Sequence, residues 1–116
     1  MAILDHLAIN VSDVAAVRDW YVGALGMTVE FGAPDRTGLT DDADFTLILV
    51  PGSPVTQCAL YFQVSDVDAA YADMTARGIT FVHPPQRNPW GYGASLEDPD
   101  GRMIGLWDAH SMEANS

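Results

Sequence analysis

The sequence is poor in positive charge, in cysteine and in long apolar runs, and each shortage closes off a class of function. Lys and Arg together number 5 against 16 Asp and Glu, which leaves a formal net charge of −11. A field of that sign repels phosphate backbones and anionic lipid headgroups, so neither nucleic acid nor a membrane surface is expected as a partner. The same field draws in cationic or zwitterionic small molecules, and it equally serves as a solvated acidic coat. The single cysteine, Cys58, leaves no disulfide within the chain, and its apolar surroundings suit a small buried hydrophobe. No apolar run approaches bilayer-spanning length, and no basic stretch precedes a long apolar one at the start, so a soluble cytoplasmic protein is expected. What remains is ordinary globular material: 116 residues, 48% hydrophobic and 18% charged, the size of one domain.

The domain is itself repetitive. Val11-Ser12-Asp13-Val14 recurs as Val64-Ser65-Asp66-Val67, and the flanks agree as well as the tetrapeptides. An alternating segment precedes each copy, Leu4 to Val11 and Gln57 to Val64, and an amphipathic stretch closed by glycine follows each. In the first half Ser12 or Asp13 can cap a helix whose stripe is Val14, Val17, Tyr21 and Ala24, stopped by Gly26. In the second, Asp66 caps, Val67, Ala70, Tyr71 and Met74 form the stripe, and Gly78 stops it. Short β-prone pieces come next: Met27 to Phe31, Thr37 to Thr40 and Phe45 to Val50, then Thr80 to His83, Tyr92 to Leu96 and Arg102 to Trp107. Asp98-Pro99-Asp100-Gly101 reads as a tight turn. Each half is therefore expected to be β-α-β-β-β, spanning about residues 1–52 and 55–110 and linked through Pro51-Gly52-Ser53-Pro54. The proline-rich segment Pro84 to Pro89 reads as an irregular loop, and the tail from Ser111 to Ser116 as frayed.

Strand alternation then sorts the side chains. Leu7, Ile9 and Val11, with Cys58, Leu60, Phe62 and Val64, are expected beneath the helices. The other face receives Leu4, His6, Ala8 and Asn10 from one half and Gln57, Ala59, Tyr61 and Gln63 from the other, joined by Thr46, Ile48 and Val50 and by Met103, Gly105 and Trp107. A face that mixes small, polar and aromatic residues suits a small-molecule site, because apolar walls give affinity and a few polar groups set orientation. It equally suits a wetted sheet face or a subunit contact.

Leu4-Asp5-His6 through Asp13, Trp20-Tyr21 with Leu25-Gly26-Met27, Pro89-Trp90-Gly91, and Asp98 to Gly101 followed by Ile104-Gly105-Leu106 together resemble the vicinal oxygen chelate superfamily. That group includes glyoxalase I, extradiol dioxygenases and bleomycin-resistance proteins. The resemblance implies an α+β fold of paired βαβββ modules whose curved sheet surrounds a cleft, and, at this length, a homodimer. It also implies a metal test. The superfamily's metal enzymes take a ligand from the first and the last strand of each module. His6 fits the first of these positions, but the other three fall on Ile48, Ala59 and Gly105, none of which can bind an ion. His83 and His110 lie near the proline-rich segment and past the last strand, and Glu97 precedes the turn, so none is an ordinary substitute. No metal and no other cofactor is expected.

Three functions stay open at this point. A metal-free binder would take a small, planar or cationic molecule with Asn10, Ile48, Ala59, Tyr61, Gln63, Trp90, Tyr92, Met103, Gly105 and Trp107 as contacts. An enzyme, a lyase, isomerase or dioxygenase, would use His6 as a catalytic acid or base, or as a metal ligand with a noncanonical partner such as His83. An interaction module would bury the mixed face against a partner.

Overall fold

The computed structural model describes residues 2–33 and 35–114 and divides the chain between Val55 and Thr56 into two compact units. The first runs β1 (His6–Val11), α1 (Val14–Leu25), β2 (Thr28–Ala33), β3 (Arg36–Thr40) and β4 (Thr46–Pro51). The second runs β5 (Ala59–Gln63), α2 (Val67–Ala76), β6 (Phe81–Asn88), β7 (Gly91–Glu97) and β8 (Met103–Trp107), and a short α3 (Ala109–Ala114) follows. Each unit forms a four-stranded mixed sheet in equivalent order, β1-β4-β3-β2 and β5-β8-β7-β6. The first strand of each pairs in parallel with the last, His6 opposite Thr46 in one and Ala59 opposite Met103 in the other. This is an α+β fold with the βαβββ order that the repeat predicts.

The repeated tetrapeptide marks the two helix starts. Asp13 and Asp66 hold extended backbone, and each side chain accepts the N–H three residues on, at 3.0 Å, from Ala16 and Ala69 respectively. A side-chain oxygen there satisfies one of the orphan donors of the first turn. Gly26 ends α1 in the left-handed conformation at φ 72°, a geometry that a Cβ disfavours. The α2 helix ends at Arg77, and Gly78 just beyond it takes φ 88°.

Each helix covers one face of its own sheet. In the first unit Val17 and Tyr21 bury against Leu39, Leu47 and Leu49, with Ile9 and Val11 of β1 beside them. In the second, Val67 and Met74 lie with Ala94, Leu96, Ile104 and Leu106 in the core. Each fully buried aliphatic side chain stabilises the fold by about 1.5–3 kcal/mol relative to exposure. Leu7, expected in this layer, is 40% exposed. It is the second residue of an edge strand, while α1 packs on β4 and β3. Leu4, expected within the first strand, precedes it and is 82% exposed.

Two further expectations change. The proline-rich segment is strand, because β6 runs through Pro84 and Pro85 to Asn88. Its ladder with β7 shifts register between His83 and Gln86, where the prolines offer no N–H. An edge strand tolerates that loss, and β6 is an edge. The tail is ordered through Ala114 as α3, while Asn115 and Ser116 lie outside the described residues. The buried Asp108 carboxylate holds α3 in place by accepting the Ser111 N–H and, at 3.1 Å, the Ser111 hydroxyl.

Candidate functional site

The sheet face opposite the helices carries different chemistry in the two units. In the first, side chains from β1, β2 and β4 surround a cavity of about 220 Å³. His6, Thr46 and Ile48 point into it from the paired strands, as alternation predicts, and Phe31 closes one side. Phe31 lies across Gly38, where an added Cβ would stand 2.7 Å from the Phe31 Cδ1. Asp5, Glu30 and Asp44 also line the cavity, which makes it strongly anionic. Glu30 accepts the Thr46 hydroxyl at 3.3 Å. Asp44 sits at φ 64° in the turn before β4, where Asp41 accepts the N–H groups of Ala43 and Phe45 at 2.8 and 2.9 Å.

His6 has a partner that alternation alone hides. Its Nδ1 lies 2.8 Å from the Asp5 Oδ1, with both side chains largely exposed. Asp5 is the chain neighbour of His6, and β1 begins only at His6, so the carboxylate is free of the strand's alternation. A carboxylate at Nδ1 orients the ring and leaves Nε2 as the nitrogen that could exchange a proton.

In the second unit the face is aromatic. Tyr61 on β5 is 50% exposed and stands across from Gly105 on β8. An added Cβ at Gly105 would meet the Tyr61 Cδ1 at 2.6 Å and the Trp90 Cζ2 at 3.5 Å. Trp90 comes from the two-residue turn between β6 and β7 and contacts the Tyr61 ring edge to face, with centroids 5.2 Å apart at 67°. Asn88 fixes the backbone of that turn, since its amide donates to the carbonyls of Gln86, Gly91 and Gly93 at 2.9, 3.3 and 3.1 Å. Ala59, Gln63, Met103 and Trp107 share the parity of Tyr61 and Gly105 along the β5–β8 pair.

Tyr92 departs from this group. It shares parity with the buried Ala94 and Leu96 on the helix side of β7, and its hydroxyl donates to the Asp68 Oδ1 of α2 at 2.9 Å. The hydrogen bond to Asp68, then burial, then the negative charges of Asp68, Asp108 and Asp66 push its phenol pKa up, so Tyr92 stays a neutral donor. The loop position suggested by sequence placed it with Trp90, but β7 begins at Gly91, which fixes its alternation. Asn10 and Ile48 belong to the first unit. Asn10 is exposed at the far end of β1 beside Gly52, where an added Cβ would lie 3.3 Å from the Asn10 Cγ.

The four ligand positions implied by the resemblance are split between the two units. His6 lines the first unit's cavity with Ile48 beside it, while in the second unit Ala59 offers no donor and Gly105 lies under two aromatic rings. Among the described residues no group of three or more His, Cys, Asp or Glu side chains is arranged to hold an ion. His83 engages the Pro84 carbonyl through Nδ1 at 2.7 Å, and His110 is exposed on α3. The residues present do not fit the metal.

Paired βαβββ units with mixed sheets in this strand order define a glyoxalase-like class of protein. The sequence profile of the Glyoxalase/Bleomycin resistance protein/Dioxygenase superfamily matches residues 3–106, and the chain belongs to that superfamily. Among solved structures it is similar to TnmS3, an antibiotic binding protein from Streptomyces sp. CB03234, with 29% identity, a TM-score of 0.80, and 93% of this chain and 96% of that one covered. A superfamily member from Sphaerobacter thermophilus DSM 20745 has 27% identity and a TM-score of 0.76, covering 93% and 98%. Lactoylglutathione lyase from Agrobacterium tumefaciens shares the fold at 18% identity and a TM-score of 0.79, covering 94% and 95%. No curated protein sequence matches the chain. No helix among the described residues is long and apolar enough to cross a membrane.

Proposed function

We propose that this protein is a metal-independent binder of a small, flat, positively charged molecule, acting in the cytoplasm as a homodimer, with no nucleic acid or membrane partner. The observation that carries the reading is Gly105. Where the superfamily's metal enzymes place a carboxylate, this chain has a glycine covered by Tyr61 and Trp90, so the position serves stacking instead of ion binding. Tyr61 and Trp107 supply the platforms, Gln63 a hydrogen-bonding group, and Ala59 and Met103 the apolar walls on the same face. The net charge of −11 favours a cation, which aromatic faces also attract. TnmS3, the similar antibiotic binding protein, lends support to small-molecule binding. The exposed apolar side chains of Leu7 and Val29, on the first unit's two edge strands, support a second copy of the chain as partner.

Titration with proflavine, a flat tricyclic cation, tests this reading against anthracene-9-carboxylate, an anion of similar outline. Proflavine should bind in preference, with affinity falling as salt rises. Trp107→Ala should weaken it about 5- to 30-fold, the range expected for one stacking and cation–π contact. Affinity indifferent to salt, to ligand charge and to Trp107→Ala would sink the proposal.

The His6–Asp5 pair favours a second reading, an acid–base enzyme in which His6 takes or gives the proton and Asp5 holds its orientation. Under that reading His6→Gln abolishes turnover of a substrate while leaving its binding in place.

A further inference from the structure

We infer that the free protein fills its own ring site, with the Trp90 indole occupying a glycine floor that a flat aromatic ligand takes by exchange. The inference rests on the proposed binding function and names the competitor at that site. Gly93 and Gly105 lie on the neighbouring strands β7 and β8, on the face that also bears Tyr61. Glycine in a strand interior costs about 0.5–1 kcal/mol relative to alanine, so two on one face call for a close approach to their backbones. That approach is visible. A Cβ at Gly93 would run into the Leu106 carbonyl oxygen and the Trp90 Cη2, and would lie 2.9 Å from Cζ3. A Cβ at Gly105 would lie 3.5 Å from Cζ2 of the same ring. The six-membered part of the indole thus spans both glycines, flanked by the edge contact with Tyr61.

The ring is held by van der Waals and aromatic contacts, whereas its backbone is held by hydrogen bonds. Against the glycines it makes dispersion contacts, and its edge contact with Tyr61 is worth about 0.5–1.5 kcal/mol. The turn that carries it is fastened by the three Asn88 amide contacts. Exchange is therefore a rotation of the Trp90 side chain over a fixed turn, which uncovers Gly93 and the edge of the Tyr61 ring that still lies over Gly105, so that a ligand ring takes the place of the indole beside Tyr61. A site that is self-occupied most of the time binds with an apparent affinity lowered by that occupancy.

Proflavine titrations of the wild type and of Trp90→Ala supply one test. Nuclear Overhauser contacts between the Trp90 indole and the Gly93 and Gly105 Hα protons, in the wild type with and without proflavine, supply another that needs no folded variant. Removing the competitor should tighten proflavine about 3- to 10-fold. The indole–glycine contacts should be present in the free protein and lost at saturation. Equal or weaker binding by Trp90→Ala, or contacts that survive saturation, would overturn the inference while the binding function stood. Failure of proflavine to bind either protein would overturn the binding function and the inference with it.

Discussion

Arg102→Ala is expected to cost about 3–5 kcal/mol of folding stability, the penalty for stripping the partner from a fully buried charge. The Arg102 and Asp98 side chains are both wholly buried, and the guanidinium Nη1 donates to the Asp98 Oδ2. The same carboxylate organises the turn from β7 to β8, accepting the N–H groups of Asp100 at 3.0 Å and Arg102 at 2.9 Å through its other oxygen. Gly101 donates to the Asp98 carbonyl at 2.9 Å and takes φ 84°, closing a turn with Pro99 at its second position. Truncating Arg102 leaves Asp98 as a buried anion beside an apolar gap, and a domain with roughly 5–15 kcal/mol of stability would lose a large part of it. Urea unfolding at pH 7 measures the loss, and a change below about 1 kcal/mol would show that the pair is not buried in solution.

Asp108→Ala is expected to cost about 2–4 kcal/mol, because one carboxylate satisfies two helix starts. It accepts the Val67 N–H of α2 at 2.5 Å, the Ser111 N–H of α3 and the Ser111 hydroxyl at 3.1 Å. Burial pushes its pKa up, but the Val67 and Ser111 donors, with His110 nearby, more than compensate and hold it below the ordinary carboxylate value. A carboxyl whose folded pKa lies below its unfolded one stabilises fully above the unfolded value, and that contribution disappears as pH falls through the folded value. The stability gap between wild type and Asp108→Asn should thus be constant above about pH 5 and shrink below about pH 4. A gap that stayed level to pH 2 would mean that the charge is not what caps the helices.

Much of the fold was legible because its signals are local. The doubled Val-Ser-Asp-Val, the two capping aspartates and Gly26 name the helices, and period-two alternation names the faces on which His6, Ile48, Tyr61 and Gly105 come to lie. What stayed hidden depends on neighbours. Pro84 and Pro85 read as loop until the sheet order shows that their strand is an edge. Leu7 matches its apolar neighbours in pattern, and only the position of α1 over β3 and β4 leaves it uncovered. Asp5, Glu30 and Asp44 come from a strand lead-in, a strand and a turn, so no spacing rule gathers them around His6. Trp90 could be assigned to the rim from its turn, but its seat on Gly93 and Gly105 depends on β7 and β8 being adjacent.

The two faces also separate the competing functions. Acid–base chemistry would reside in the anionic cavity with His6 and Asp5, and stacking on the face with Tyr61, Gly105 and Trp107.

In the proposed function a flat cation is held by aromatic stacking and no bound ion. Proflavine affinity, measured on protein stripped with a chelator and again after saturation with zinc, nickel or manganese, tests it most directly when paired with elemental analysis of protein purified without chelator. Unchanged affinity and less than stoichiometric metal are predicted. A stoichiometric ion lost on His6→Ala, with binding that needs it, would contradict the account.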